Sequence, residues 1–88
     1  MKESNYQNNI IKKLEKDGYY VLKLIRTNKN GIPDILAIKK NEVYFIECKV
    51  LNGKLSPLQE YRLYELKSKG FKVAVSYGNE IKEIIEIK

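Results

Sequence analysis

The chain has 88 residues, 43% of them hydrophobic and 32% charged, a balance typical of one small globular domain spanning residues 1–88. Lysine and arginine outnumber aspartate and glutamate by 17 to 11, and the net charge of +6 favours a polyanionic partner such as nucleic acid. Histidine is absent and Cys48 is the single cysteine, which excludes internal disulfides, Cys/His zinc sites and mechanisms with a histidine base.

Membrane and secretion signals are not evident in the sequence. No run of about 18 apolar residues occurs, and the first residues, MKESN, lack the apolar stretch of a secretory signal. We therefore expect a cytoplasmic protein with no membrane partner, or one in the host cytoplasm if the chain is phage-encoded.

The first predicted element is a helix over residues 4–17. Apolar residues recur at helical spacing at Ile10, Ile11 and Leu14. Gly18 supplies the left-handed residue that ends the helix. The same stripe, counted back by three and four residues, reaches Gln7 and Glu3, so two polar side chains are expected on the inward side. Either the first turns fray into solvent, or these residues have a function there.

Three strands and a loop are predicted next. The run YYVLKLI, residues 19–25, is rich in β-branched and aromatic residues and predicts a strand, and RTNKNG, residues 26–31, predicts a loop. Residues 34–39 and 43–50 predict two further strands, which a turn near Lys40-Asn41 would join as a hairpin.

The second half of the chain opens with a clear helix signal. Ser56 at the N-cap, Pro57 at the first helical position and Gln59 three residues after the serine form a capping box. A second helix is therefore predicted from about residue 57 to 69, with Gly70 past its end.

The last elements are a strand at residues 71–77 and an ambiguous tail. Asn79 could cap a short helix, or IIEIK could add an edge strand; a short helix followed by a few extended residues is the favoured prediction. The order of elements predicts a mixed α/β sheet flanked by helices, in which a strand–helix–strand crossover makes the third and fourth strands parallel.

Three charged residues stand in or beside runs that otherwise predict buried strands: Asp34, Glu47 and Lys49. Alternate residues of a strand share a face, so Glu47 and Lys49 are neighbours and Cys48 points the other way. A hairpin that turns near residue 40 brings Asp34 and Glu47 to the same end. Two adjacent carboxylates repel unless a cation lies between them, and oxygen ligands favour Mg²⁺ or Mn²⁺.

A divalent cation beside a lysine is suited to phosphodiester hydrolysis, because both stabilise charge that develops on the phosphate. Lys49 could orient or deprotonate the attacking water, or neutralise that charge. A Glu-x-Lys pair is also common as a structural salt bridge on a solvated sheet face, so the motif alone leaves both interpretations open.

The complete pattern resembles the PD-(D/E)xK nucleases. Pro33-Asp34 is followed, after twelve residues, by Glu47-Cys48-Lys49 and then by a helix entered through SPLQ. More narrowly, GIPDILAI, YFIECKV, GKLSPLQ and GFKVAVSYGN are similar to the small stand-alone form of the virus-type replication-repair nuclease domain, VRR-NUC. This resemblance covers nearly the whole chain and implies a restriction-endonuclease-like αβββαβ core.

The resemblance also implies roles for individual residues. Asp34, Glu47 and the backbone carbonyl of Cys48 would bind Mg²⁺ or Mn²⁺, and Lys49 would be the catalytic lysine. Gln59 matches a glutamine of the family's second helix that lies close to this lysine, although a capping-box partner needs no such role.

The first helix departs from the pattern of related families, which commonly direct a glutamate from it toward the metal. Gln7 stands near that position here, with Glu3 one turn earlier. Gln7 can hydrogen-bond but supplies no charge, so either Glu3 replaces the carboxylate or the site holds its metal more loosely.

Candidate DNA contacts lie in the first loop, at Arg26 and Lys29, and beside the second helix, at Lys54 and Ser56. Amide groups at a helix N-terminus favour phosphate, whereas solvated charge without a partner is the alternative for each cation. No base-reading helix is evident, so recognition of backbone and shape is expected.

These observations predict a metal-dependent DNA endonuclease. The resemblance implies a homodimer, similar to Holliday junction resolvases, that acts on branched DNA, and two sites related by a twofold axis could address paired strands. A nuclease for flaps or single-stranded DNA, a non-catalytic nucleic-acid-binding module with the same fold and a structural basic protein remain as alternatives.

Overall fold

The computed structural model describes residues 3–78 and 80–83, which form two helices and five strands. Their bounds are α1 Glu3–Lys16, β1 Tyr20–Lys23, β2 Ile35–Lys39, β3 Glu42–Lys49, α2 Pro57–Ser68, β4 Lys72–Tyr77 and β5 Glu80–Glu83. The strands form one sheet in the order β1-β2-β3-β4-β5. The β3–β4 pair is parallel and the other three pairs are antiparallel. No helix of these residues is long and apolar enough to cross a bilayer.

Each helix ends where the local sequence predicts. Gly18, with φ of +92°, follows α1, and the Tyr19 amide donates to the carbonyl of Leu14. At the start of α2, the Ser56 hydroxyl accepts from the Gln59 amide, and the Gln59 side chain accepts from the Ser56 amide. Gly70, with φ of +96°, follows α2. The capping box predicted from sequence is thus confirmed.

The core has two parts, one on each face of the sheet. On one face, Ile10 and Leu14 of α1 pack against the alternate strand positions Ile35, Ala37, Ile46, Cys48 and Ala74. On the other, Leu63 of α2 packs with Val73 and Val75, and Phe45 lies against this group. Strand alternation therefore sends odd-numbered residues of β3 toward α2 and even-numbered residues toward α1.

A two-residue turn fixes the register of the β2–β3 hairpin. Lys39 pairs with Glu42, and between them Lys40 has φ of +51°. The last pair at the other end is Ile35 with Ile46. The next residues beyond this pair are Asp34, which precedes β2, and Glu47, which lies on β3.

The predicted order of helix, three strands, helix and strand is confirmed, as is the parallel crossover. The first strand is shorter than predicted, because β1 ends at Lys23 and the chain leaves the sheet after one more hydrogen bond, from the Leu24 amide to the Asp34 carbonyl. The short helix favoured for the tail is wrong over residues 80–83, which pair antiparallel with β4 as an edge strand. Asn79 and residues 84–88 lie outside the described residues.

Candidate metal and nucleic-acid site

The predicted site residues collect at one end of the sheet. Glu47 and Lys49 are near the end of β3, and Asp34 immediately precedes β2, which runs antiparallel to β3. The backbone of β4 reaches the same end, where the Gly78 amide donates to the Lys49 carbonyl at 2.8 Å. Separate segments of the chain therefore bring their charged residues to the same end of the sheet.

Glu47 and Lys49 lie on the sheet face that α2 covers. Phe45, two residues earlier, packs in the α2-side core, and Ile46 and Cys48 pack in the α1-side core. The prediction that the Cys48 side chain belongs to the core is confirmed, since it is fully buried on the opposite face. Only backbone groups of Cys48 can therefore take part in the site.

Asp34 is anchored by hydrogen bonds to β3 and to the residue that follows β1. Its carboxylate Oδ2 accepts from the Cys48 amide at 2.9 Å, and its carbonyl accepts from the Leu24 amide at 2.7 Å. The carboxylate thus extends the β2–β3 ladder with a side-chain acceptor at the point where β2 begins. This contact fixes the Asp34 carboxylate beside the backbone that joins Glu47 to Lys49.

Glu47 is buried, with only 3% of its surface exposed, and it accepts a hydrogen bond from Gln59. The distance from Gln59 Nε2 to Glu47 Oε2 is 3.2 Å. The Oε1 atom of the same Gln59 accepts from the Ser56 amide at 2.9 Å. Gln59 therefore completes the capping box and also holds the carboxylate. The alternative of a solvated Glu-x-Lys pair is wrong for Glu47, because a solvated face would leave it exposed.

The donor set fits a hard divalent cation. Two carboxylates and the Cys48 carbonyl offer only oxygen, the ligand type that Mg²⁺ and Mn²⁺ prefer. Each carboxylate has two oxygens with about four lone-pair sites, so accepting a hydrogen bond does not by itself exclude a cation. Within the described residues there is no cluster of three or more His, Cys, Asp or Glu that could hold a metal, and the protein ligands would be the two acids and the carbonyl.

The first helix begins at the same end of the sheet. Tyr6 lies against Gly78, since a Cβ built on Gly78 would be 3.5 Å from Tyr6 Cε1. Gln7, the next residue, is half-buried and shares the stripe of Ile10 and Leu14. Glu3 is the first residue of α1, but its side chain lies outside the described part of the chain. The contribution of Gln7 or Glu3 to the site stays a prediction.

The predicted DNA-binding residues lie in two segments next to these acids. Arg26 and Lys29 are exposed and line a cavity of about 390 Å³ that Asp34 also borders. Lys54 and Ser56 are exposed just before α2, and the Ser56 hydroxyl accepts a hydrogen bond from the Gln59 amide at 3.1 Å. All four therefore lie in segments adjoining Asp34, Glu47 and Gln59.

Arg62 is a site-shaping residue that the sequence analysis missed. It is half-buried in α2, and its Nε donates to the carbonyl of Asn30 at 2.8 Å. This bond ties the loop of Arg26 and Lys29 to the helix that carries Gln59. The two partners are 32 residues apart, and an arginine within a helix gives no local signal of such a contact.

Comparisons with known proteins find one nuclease-domain family and a phage protein named as a putative nuclease. The model of the VRR-NUC domain matches residues 1–80. The protein "Putative nuclease p44" of Acyrthosiphon pisum secondary endosymbiont phage 1 is 23% identical over 86 residues, which are 97% of this chain and 92% of that protein. A solved structure named VRR_NUC domain superposes with a TM-score of 0.75 at 27% identity, over 88% of this chain and 85% of that one.

A Holliday junction resolvase also shares the fold. The structure of Archaeoglobus fulgidus Hjc, a Holliday junction resolvase from an archaeal hyperthermophile, superposes with a TM-score of 0.68. The match covers 92% of this chain and 74% of that chain at 18% identity. A likeness at this identity shows the common fold and nothing further.

Proposed function

Because this chain belongs to the VRR-NUC domain family, a family of nuclease domains, we propose that it is a Mg²⁺- or Mn²⁺-dependent endonuclease that hydrolyses phosphodiester bonds in DNA. The observation that carries the proposal is the buried Glu47 carboxylate, held by Gln59 on the strand whose Cys48 amide binds the Asp34 carboxylate. A small basic domain has little structural reason to bring two acids together there. Residues 1–88 would act as a single domain, in the cytoplasm or, if phage-encoded, in the host cytoplasm.

In this proposal the chain's own residues have separate roles. Asp34, Glu47 and the Cys48 carbonyl hold the cation, which would supply positive charge to the scissile phosphate when bound. Lys49, on the same face as Glu47, neutralises phosphate charge or orients the attacking water. Gln59 is a positioning residue, because it reaches the reaction only through the Glu47 carboxylate.

The first helix would complete the site from the other side. The Gln7 amide can donate or accept a hydrogen bond near the acids, and a carboxylate at Glu3 could add the charge that glutamine lacks. With glutamine alone, the site has fewer negative charges to hold a cation and should bind it more weakly.

The proposed substrate is branched DNA such as a Holliday junction, bound through the backbone. Arg26, Lys29, Lys54 and Ser56 would contact phosphates, in keeping with the net charge of +6 and the helix N-terminus beside them. The fold shared with Hjc, a resolvase by its name, supports the choice of a junction. Flaps or single strands are the alternative substrates.

A homodimer is proposed to place two sites on such a junction. Tyr20 and Leu22 of β1 are 68% and 41% exposed, and they pair with Ile38 and Leu36 on the sheet face away from α1. β1 is an edge strand of the sheet, and none of these four side chains belongs to the core cluster around Leu63 of α2. Identical patches on two copies could bury each other about a twofold axis.

The test is a panel of end-labelled four-way junction, flap, duplex and single-stranded DNAs incubated with Mg²⁺ or Mn²⁺. The parent should cut a branched substrate, and Asp34→Asn, Glu47→Gln or Lys49→Ala should each lower the rate roughly 100-fold or more. Lys16→Ala, which removes one exposed charge from the opposite end of α1, should leave the rate within about twofold of the parent.

A second function, a non-catalytic nucleic-acid-binding module, is favoured by one observation. The described side chains offer two acids and the uncharged Gln7 instead of a third acid. If the parent binds these DNAs but yields no product with either metal, the module replaces the nuclease. If Mg²⁺ and Mn²⁺ also leave thermal stability unchanged and no DNA binds, both functions are refuted and a structural basic protein remains.

A further inference from the structure

The segment between β1 and β2 exposes an apolar side chain beside the site. Ile25 is 85% exposed, the highest value among the large exposed hydrophobic side chains of the described residues. A single exposed isoleucine needs no explanation by itself. The position of Ile25 is more informative. The amide of the preceding residue, Leu24, donates to the Asp34 carbonyl, which places Ile25 next to a proposed metal ligand.

Ile25 and Asp34 line the same cavity. The volume of about 390 Å³ is near the lower end of the range for sites that take small molecules, about 300–1,000 Å³, and suits one nucleotide. Arg26 and Lys29 contribute two cations to the lining, and all of the lining residues belong to the segment 24–34. Arg26 and Lys29, which could contact a phosphate, therefore lie beside Ile25, whose aliphatic side chain could contact a base.

Contacts within the protein shape this loop without a ligand. Thr27 Oγ1 donates to the Lys29 carbonyl at 2.6 Å, and Arg62 Nε donates to the Asn30 carbonyl at 2.8 Å. Gly31, with φ of +77°, packs so closely on α2 that an added Cβ would be 2.7 Å from Leu58 Cγ. The cavity is therefore pre-organised, which lowers the entropy lost when a ligand binds.

From this arrangement we infer that residues 24–32 form a subsite for an unpaired or unstacked nucleotide next to the scissile phosphate, with Ile25 against its base. The inference rests on the proposed nuclease function and narrows its substrate. In a continuous duplex each base is covered by its neighbours, so Ile25 could reach a base face only by unstacking it. At a branch point or in a single strand that face is already available.

The experiment uses DNA with 2-aminopurine at the nucleotide adjoining the mapped cut, either unpaired at a branch or paired in continuous duplex. Because Ca²⁺ is a hard cation with the same oxygen ligands, it replaces Mg²⁺ for fluorescence measurements of binding, and cleavage rates are measured with Mg²⁺ or Mn²⁺. Three proteins are compared: the parent, Ile25→Ser, and Tyr64→Ser, which removes another exposed side chain, from the middle of α2.

The parent should change the 2-aminopurine fluorescence of the unpaired probe and prefer that DNA. Ile25→Ser should lower the preference for unpaired over paired DNA by roughly fivefold to tenfold, the loss expected when one aliphatic side chain leaves an interface. Tyr64→Ser should keep the parent's preference. A ratio unchanged by Ile25→Ser overturns the subsite while cleavage by the parent still upholds the nuclease. If the parent cuts nothing, the nuclease fails. The 2-aminopurine then stands at the branch-point nucleotide, and the fluorescence measurement alone decides the subsite.

Discussion

Removal of the Gln59 side chain tests whether the second helix holds the Glu47 carboxylate. Gln59→Ala deletes two hydrogen bonds, one from the Ser56 amide to Oε1 and one from Nε2 to Glu47. Ser56→Ala is the matched control, because it deletes only the bond from the Gln59 amide to the Ser56 hydroxyl. The two variants therefore share the loss of the capping box and differ in the contact with Glu47.

The magnitudes follow from burial and charge. Loss of a helix N-cap contact lowers the free energy of unfolding by about 1 kcal/mol. A hydrogen bond to a charged group contributes about 1.5–3 kcal/mol, and Glu47 is 3% exposed, so solvent replaces that bond poorly. Gln59→Ala should therefore lose about 2–4 kcal/mol and Ser56→Ala about 1 kcal/mol. With a total of about 5–15 kcal/mol for a typical domain, both variants should still fold.

Urea unfolding followed by far-ultraviolet circular dichroism measures both losses. A double-mutant cycle with Glu47→Gln, which keeps the shape and removes the charge, should give a coupling of about 1 kcal/mol or more between positions 47 and 59. If Gln59→Ala loses no more than Ser56→Ala, or if the cycle is additive, the Gln59–Glu47 bond does not stabilise the carboxylate and Gln59 is a capping residue alone.

Two further predictions concern the loop and the far end of the sheet. Gly31→Ala should lower the free energy of unfolding by about 2–4 kcal/mol, because an alanine is strained at positive φ and its Cβ would meet Leu58. Gly70→Ala is the control, with φ of +96° and nothing within 4 Å of the added Cβ. It should lose only about 1–2 kcal/mol in the same urea assay. Equal losses would refute the close approach. The Tyr19 hydroxyl, and then Lys72, lower the pKa of Glu42 below its ordinary value of 4.5. The ionised Glu42 therefore stabilises the fold above about pH 4.5 and this contribution is lost as pH falls through the lowered pKa; Glu42→Gln should show a smaller drop in urea midpoint between pH 7 and pH 3, and an identical drop would contradict it.

Local chemistry explains which parts of the fold could be predicted. Ser56, Pro57 and Gln59 define a helix start within four residues, and Gly18 and Gly70 mark helix ends, because each signal needs only neighbours in sequence. The prediction for the tail failed because no local signal decides its structure. Isoleucines after Gly78 fit a helix or a strand, and pairing with the β4 backbone, a contact outside the local window, decides for the strand over residues 80–83.

The candidate site divides in the same way. Asp34 and Glu47 could be placed together because one hairpin joins them, and their relation follows from strand alternation and a short turn. The bond from Arg62 to Asn30 and the exposure of Ile25 depend on how α2 and the β1–β2 loop pack in three dimensions. No spacing rule links residues 32 positions apart in a helix and a loop.

The turn at Lys40 has an influence far beyond its own surroundings. Side chains alternate along a strand, so a slip of one residue between β2 and β3 would exchange the two faces of β3. Ile46 would then turn toward α2, and the Glu47 carboxylate would enter the apolar layer beneath α1, away from Gln59. The left-handed backbone at Lys40, with φ of +51°, lies at the opposite end of the hairpin from Asp34 and Glu47. It nevertheless sets the register that keeps Glu47 on the α2 side, within reach of Gln59.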